Sequence, residues 1–144
     1  MITFKEVLGH ISINDVSIKE QQNIDELLKS VNIVLAAYDA HLGRHWPAHV
    51  TSGYRTLQDH LRIYAAKGIF DKAKIPMASR HLTGNAVDIL DEALGLTKWL
   101  QTPEGAIVLD KANLFCESGN KNWWHAQRLP FASYKPGGTR WFKP

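Results

Sequence analysis

The sequence predicts an α+β fold, in which a small, mostly antiparallel sheet packs with helices within a single domain spanning residues 1–144. Two observations predict it. Apolar residues recur at helical spacing in the first part of the chain, and short β-type runs separated by turn formers follow later. This separation of helices and strands along the chain is typical of the α+β class. With 144 residues, 44% of them hydrophobic, the chain is long enough to bury one core.

The clearest helix pattern follows Ser17. Ser17 and Glu20 have the spacing of a capping box, and the helix is expected to end before Gly43. Between them, apolar residues recur every three or four positions and predict one buried helix face. These residues are Ile24, Leu27, Leu28, Val31, Val34 and Leu35.

Further helices are expected later in the chain. One is predicted from about Thr56 to Ala66, with Gly68 at its carboxyl end. The segment 91–100 is compatible with a third helix, and residues 102–105 indicate a turn or a new helix start. Residues 78–84 are predicted to be a loop.

The predicted strands are short and rich in β-branched, aromatic or other apolar residues. They are Val50–Thr51, Ala86–Leu90, Leu114–Glu117 and Trp123–Gln127, with a further edge strand at Arg140–Phe142. Turn formers at 118–122 predict a hairpin between the third and fourth of these runs.

Composition excludes several classes of protein. The longest apolar run, Ile33–Tyr38, is far shorter than the ~20 residues of a membrane span. A lone cysteine, Cys116, excludes an internal disulfide and any zinc site built from several cysteines. The net charge of +3 is mild and spread along the chain, which favours a solvated surface over a dedicated nucleic-acid-binding stripe.

Three residues have the chemistry of metal ligands: His81, Asp88 and His125. Asp88 stands within an apolar run, where a carboxylate is costly unless a cation or metal pairs with it. Two histidines and one carboxylate, with water in the fourth position, make a workable catalytic zinc site. The alternative, a core histidine bonded to backbone and an aspartate in a turn or salt bridge, stays open because the chain has seven histidines.

A wider motif surrounds these residues. The segment Ser79–Asp88 has the pattern Ser-x-His-x-x-Gly-x-Ala-x-Asp, a Trp-x-His element follows at 123–125, and Ser-Gly-Tyr-Arg precedes it at 52–55. In this order the elements resemble the zinc D-Ala-D-Ala carboxypeptidase and L-alanyl-D-glutamate endopeptidase family. That family includes many phage endolysins and has the hedgehog/DD-peptidase fold. The resemblance covers roughly residues 50–127.

The resemblance implies a role for each matching residue. His81, Asp88 and His125 would be ligands of Zn²⁺, and Arg55 would contact substrate and stabilise charge near the scissile carbonyl. Ser79 would support the ligands. For Arg55 a surface salt bridge, and for Ser79 a loop hydroxyl that caps backbone, remain open.

Three further residues, Tyr54, Asn122 and Trp123, fall within or beside the matching motifs and are expected to bind substrate or support the site.

The sequence departs from the family pattern at Asn122. Many members carry an acidic residue there as the general base, and an amide cannot accept a proton near neutral pH. Glu117 is the best substitute. If the hairpin loop is 118–122, Glu117 lies opposite Trp123 and shares a sheet face with His125. The alternative is that Glu117 is a solvated strand end.

The resemblance therefore implies a zinc-dependent peptidase acting on stem or cross-link peptides of bacterial peptidoglycan, of phage or prophage origin. Without a recognisable signal peptide at residues 1–6, synthesis in the cytoplasm is expected, followed by phage-type release or carriage on the virion. The oligomeric state is not readable from the sequence.

A catalytically impaired wall-binding or virion structural protein of the same fold is the alternative, and Asn122 motivates it. Aromatic residues could then line a glycan or peptide groove, although core and edge positions suit them equally. They are Trp123, Trp124, Trp141 and Phe142.

Two other chemistries are disfavoured. A cysteine hydrolase would need a reactive thiol, but Cys116 lies in an apolar run that predicts a buried, inert one. A second metal pair, His45 and His49, has Pro47 between its members, and this proline disfavours the regular helix that such spacing requires.

Overall fold

The computed structural model describes residues 1–144 and consists of five α-helices and one five-stranded sheet. The helices are α1 (Phe4–Leu8), α2 (Ile18–Leu42), α3 (Leu57–Ala66), α4 (Gly95–Leu100) and α5 (Pro103–Ala112). The strands are β1 (Val50–Ser52), β2 (Ala86–Leu90), β3 (Phe115–Glu117), β4 (Trp123–Gln127) and β5 (Trp141–Phe142).

The sheet has the strand order β1-β2-β4-β3-β5. Every neighbouring pair is antiparallel except β3 and β5, which run parallel at one edge. The predicted α+β class with a small, mostly antiparallel sheet is therefore confirmed. None of the five helices combines the length and the apolar character that crossing a membrane would require.

Strand alternation gives the sheet two different faces. Val87 and Ile89 of β2 and Trp124 of β4 are almost fully buried and belong to the hydrophobic core, together with the apolar face of α2. Because neighbouring residues of a strand point to opposite sides, Asp88 and His125 lie on the other face. The same alternation that builds the core therefore presents polar side chains to the opposite side of the sheet.

The long helix forms as its sequence predicts. Ser17 and Glu20 make the capping box at its start, and Gly43 closes its end in a left-handed conformation. The predicted face is buried at Ile24 and Leu27, neither of which is exposed at all. Removing that apolar surface from water contributes about 1.5–3 kcal/mol for each large aliphatic side chain.

The predicted third helix is shorter than expected. The segment 91–100 is compatible with a helix, but the helix begins at Gly95, because the Asp91 carboxylate accepts hydrogen bonds from the backbone amides of Leu96 and Thr97, at 3.3 and 2.8 Å. Leu94 precedes the helix with a φ of 54°, outside the right-handed helical region. Asp91 therefore binds the start of the helix rather than forming part of it.

Two other expectations also need correction. The predicted loop at 78–84 contains a short 3₁₀ turn, Arg80–Thr83. The amino-terminal helix α1 was not anticipated, although Thr3 and Glu6 form a second capping box at its start.

The hairpin register differs from the expected one. Phe115 pairs with Gln127 and Cys116 with Ala126, so the next pair along the ladder is Glu117 with His125, whereas the sequence predicts Glu117 opposite Trp123. The shift is two residues, and it lengthens the loop at 118–122 on its carboxyl side. Because side chains alternate with a period of two, an even shift leaves Glu117 on the same face as His125. The predicted pairing was wrong, but the face it assigned to Glu117 is correct.

Gly84 allows the turn that carries His81 to pack against α2. Its φ is 73°, and a Cβ atom built there would lie 2.8 Å from Ile24 Cγ1 and 2.9 Å from the Glu20 carbonyl oxygen. Both the backbone conformation and the close approach to the helix therefore require glycine.

Replacing Gly84 with alanine should lower the free energy of unfolding by about 2–4 kcal/mol, because backbone strain adds to the steric clash. Gly68→Ala is the matched control, since Gly68 has a φ of 76° but open space around it. It should cost only about 1 kcal/mol. Urea denaturation of both variants measures the difference, and equal losses would show that the close approach at Gly84 has no energetic effect.

Candidate metal centre

The three predicted ligands converge on the sheet face opposite the helical core. His81 comes from the 3₁₀ turn that follows Ser79, Asp88 from β2 and His125 from β4. Asp88 and His125 are directly paired across the β2–β4 ladder. One ligand atom from each of the three residues lies within 4.8 Å of the other two. Residues far apart in sequence thus form one compact donor set.

The Asp88 carboxylate lies between the two imidazoles. Its Oδ1 is 2.7 Å from His125 Nδ1, and its Oδ2 is 3.4 Å from His81 Nε2. Only 14% of the Asp88 side chain is exposed, and both histidines are buried. Three ionisable groups are therefore held together where water screens them little.

This proximity shifts the pKa of two of these groups. Burial alone would raise the pKa of Asp88, but hydrogen bonds from His125 and His81 outweigh it and hold that pKa well below its usual range. Burial alone would lower the pKa of His125, but its hydrogen bond to Asp88 reverses the direction and raises it. The carboxylate is thus strongly held in its anionic form, which is the form that binds a cation.

The outward-facing ring nitrogens of both histidines have protein partners. His81 Nδ1 lies 2.7 Å from the Gly53 carbonyl oxygen, so it carries the proton and donates. His125 Nε2 lies 3.2 Å from Gln127 Oε1, and Gln127 in turn donates to the Leu129 carbonyl at 2.6 Å. Partners of this kind fix the orientation of metal-binding histidines. The inward nitrogens, which here contact the Asp88 carboxylate, are the ones that would coordinate an ion.

This donor set fits Zn²⁺. Two imidazole nitrogens, which are borderline ligands, and one carboxylate oxygen form a donor set that catalytic zinc sites use, and three protein ligands leave a position for water or substrate. The buried carboxylate also supplies negative charge that a dication would neutralise. His81, Asp88 and His125 are the residues that could hold the ion.

Arg55 lies beside the cluster rather than in a surface salt bridge. Its Nη2 is 3.7 Å from Asp88 Oδ2, and its side chain is 15% exposed. Nε and Nη2 both donate to Ser52 Oγ, at 2.9 and 2.7 Å. Its backbone amide donates to the His81 carbonyl at 3.1 Å. The guanidinium is therefore held at the edge of the donor set.

Glu117 is half-buried at the end of β3. Continuing the β3–β4 register by one residue places it next to His125. Desolvation raises the pKa of the Glu117 carboxyl, against the lowering influence of His125. With its amide nitrogen turned toward Glu117, Asn120 donates to Glu117 Oε1 at 3.2 Å and its oxygen accepts from Trp123 Nε1 at 3.2 Å. Asn120 thereby ties the Glu117 carboxylate to the indole of Trp123.

The other residues expected in the site are placed differently. Tyr54 is buried in the core, where its hydroxyl donates to Glu20 Oε2 at 3.1 Å and desolvation raises its pKa to about 12.

Ser79 is half-buried and its side chain does not cap the turn that follows. Asn122 is exposed, and its carbonyl accepts from the Asp91 amide at 2.8 Å. Trp123 is linked to Glu117 through Asn120.

Sequence reasoning missed Gln127, Asn120 and the Gly53 carbonyl. Gln127 follows His125 by two positions in a strand, so the period of two could have placed it on the same face. Asn120 lies in a turn, where its amide is indistinguishable by sequence from any turn former. A carbonyl partner leaves no trace in residue identity. The residues that the sequence did not indicate are therefore mostly those whose role depends on tertiary contact.

The disfavoured chemistries find no support in the geometry. Cys116 is fully buried, accepts a hydrogen bond from Trp124 Nε1 at 3.1 Å, and has its pKa raised to about 12 by desolvation. Such a thiol is not a nucleophile near neutral pH. His45 contacts Asp39 at 2.9 Å instead of forming a pair with His49.

Comparisons with protein-family models, with curated proteins and with solved structures find no match to this chain.

The chain should bind one equivalent of Zn²⁺, and each of His81→Ala, Asp88→Ala and His125→Ala should weaken its affinity by more than about a hundredfold, since each removes a ligand. Gln127→Ala should weaken it by about tenfold to a hundredfold, because it frees the His125 ring. Competition with a chromogenic chelator measures all four.

His45→Ala is the matched control, because His45 is exposed and its ring contacts Asp39 rather than the cluster. Its zinc affinity should equal that of the unaltered chain. Retained affinity in Asp88→Ala, or a loss in His45→Ala, would contradict the assignment of the ligands.

Proposed function

We propose that the protein is a zinc-dependent peptidase that hydrolyses stem or cross-link peptides of bacterial peptidoglycan. The observation that carries this proposal is the convergence of His81, Asp88 and His125 with Glu117 beside them on one sheet face. A buried metal-binding triad next to a half-buried carboxylate is the arrangement that metal-assisted hydrolysis needs.

The sequence motif supports the same proposal independently. The order of the Ser-Gly-Tyr-Arg, Ser-x-His-x-x-Gly-x-Ala-x-Asp and Trp-x-His elements resembles the zinc carboxypeptidase and endopeptidase family named above. The residues that this resemblance selects as ligands are the ones that lie within 4.8 Å of one another. The peptidoglycan substrate rests on the resemblance, whereas the hydrolytic chemistry rests on the geometry as well.

In this mechanism Glu117 acts as the general base. His81, Asp88 and His125 would hold Zn²⁺, which would supply a Lewis acid to lower the pKa of water and polarise the scissile carbonyl. Glu117 takes a proton from the attacking water as the new C–O bond forms, and delivers it to the amine nitrogen as the C–N bond breaks. Asn120 holds Glu117 Oε1 by its amide nitrogen, so that the carboxylate keeps one orientation.

Arg55 provides positive charge at the other side of the donor set. Its guanidinium is held by Ser52 Oγ and lies 3.7 Å from Asp88 Oδ2, so it is fixed before substrate arrives. A preorganised cation of this kind stabilises the oxyanion that develops on the carbonyl, or grips a carboxylate of the substrate. Arg55 and Glu117 are the two catalytic residues of the proposal.

The second candidate function is a wall-binding or virion structural protein that keeps the fold and the metal without hydrolysis. Asn122 favours it, because an acidic residue is usual at that position in the family that the sequence resembles. Under either proposal the protein meets the cell wall after phage-type release or as part of a virion. The two functions differ in whether Glu117 replaces the missing base.

The unaltered chain with zinc should lower the turbidity of purified peptidoglycan suspensions, and Glu117→Gln should reduce the rate by at least a hundredfold, because a general base contributes about 10²–10⁴-fold. Asn122→Ala should keep the rate within about twofold, since its exposed side chain takes no part. Zinc content is measured in parallel, so that loss of metal is not mistaken for loss of the base.

Hydrolysis that survives in Glu117→Gln with zinc bound would remove Glu117 from the mechanism. A chain that binds zinc but hydrolyses no type of peptidoglycan would favour the binding or structural function instead.

A further inference from the structure

A groove of about 690 Å³ lies along the carboxyl-terminal segment, outside the metal centre. Residues 131–135 form part of its lining, and residues 138, 139 and 141–143 form the rest. We call it the aromatic groove. Its defining residues are the aromatic side chains Phe131, Tyr134 and Phe142 and the basic side chains Lys135 and Lys143, all of which line it. None of these residues is used by the mechanism above.

The aromatic groove adjoins the metal centre through Phe142. The Phe142 ring packs edge-on against the His125 ring, with centroids 6.0 Å apart, and Phe131 lies 5.2 Å from Phe142. Phe142 also pairs with Glu117 across the β3–β5 ladder. A molecule whose reactive bond lies at Glu117 and His125 would therefore meet the groove at Phe142, which is next to both residues.

The groove is tied to the sheet and keeps its shape. Phe115 packs against Tyr134 with ring centroids 4.7 Å apart, and the Arg140 guanidinium lies over the Phe115 ring at 4.7 Å. The Ser118 hydroxyl and amide both donate to the Phe142 carbonyl, at 2.9 and 2.7 Å. The walls are thus held in place by the fold itself, which limits the entropy lost when a ligand binds.

The charged side chains that line the groove are all basic. Lys135 and Lys143 line it, and no carboxylate does. Arg140, a neighbouring cation, is by contrast engaged by Asp110 at 2.6 Å. Two ammonium groups without an acidic partner, beside apolar rings, suit a ligand that is both anionic and partly apolar.

We infer that the aromatic groove is a subsite for the substrate peptide, and that Lys135 and Lys143 bind its free carboxylates while Phe131 and Phe142 contact its aliphatic parts. This inference rests on the proposed function, because it takes the groove to hold the part of the peptide beyond the scissile bond. The chemistry selected is a peptide that carries free carboxylates rather than a neutral glycan, since sugar rings alone would leave both lysines without a partner.

Calorimetric binding to the zinc-loaded Glu117→Gln protein tests this inference, because the block at Glu117 prevents turnover. The probe is the peptide L-alanyl-γ-D-glutamyl-L-lysyl-D-alanyl-D-alanine with free carboxylates, compared with the same peptide amidated at both carboxyls. When Lys135→Gln and Lys143→Gln are both introduced into the Glu117→Gln protein, its affinity for the free peptide should fall about tenfold. Its affinity for the amidated peptide should not change. The difference should shrink as salt is added.

Lys19→Gln in the same Glu117→Gln background is the matched control, since it removes an exposed lysine that does not line the groove. It should leave both affinities unchanged. A carboxylate that binds the metal ion instead of the lysines would bind the double lysine variant as tightly as its parent, which would overturn the inference.

Equal binding of the free and amidated peptides, or no binding of either, would also overturn it. Loss of binding in Lys19→Gln would show general charge attraction rather than a subsite, with the same consequence. Failure of the proposed function is distinguishable, because it appears as absent wall hydrolysis by the unaltered chain, whereas this measurement needs no turnover.

Discussion

The carboxylate of Asp88, whose side chain is only 14% exposed, is the constraint on which the rest of the site depends. An anion between Val87 and Ile89 in a core-forming strand is costly unless cationic or metal partners surround it. Here His81, His125 and Arg55 approach it from three separate segments of the chain. The position of each of these segments is therefore linked to a single side chain, and removing one partner of such a buried set is typically costly, at about 3–5 kcal/mol.

The alternation of side chains along the strands places the core-forming residues on one face of the sheet and the metal-centre residues on the other. Successive residues of β2 and β4 point alternately into the helical core and toward the metal centre, so Trp124 packs in the core while its neighbour His125 faces the site. Each ligand on these two strands is therefore directly bonded along the chain to residues that the packed core holds in place. The turn bearing His81 is fixed by another route, because Gly84 lets it rest directly on α2.

Much of this arrangement can be predicted from the sequence, because interactions between residues close together in the chain determine it. The capping box at Ser17, the strand around Asp88 and the face of Glu117 all follow from periodicity and turn chemistry. Other features depend on contacts between distant segments. The hairpin register was wrong by two residues because the loop length was inferred from composition. Tyr54 lies in the core, where its hydroxyl donates to Glu20, a residue distant in sequence. Asn120 gave no signal at all.

The central claim is that one Zn²⁺ is held by His81, Asp88 and His125. Anomalous diffraction at the zinc edge, from crystals of the zinc-loaded protein, tests it most directly because the ion and its ligands are seen together. The account predicts a single peak between these three side chains, with Glu117 facing the open side of the ion. A peak held by other residues, or none at this position in a fully loaded protein, would contradict the account.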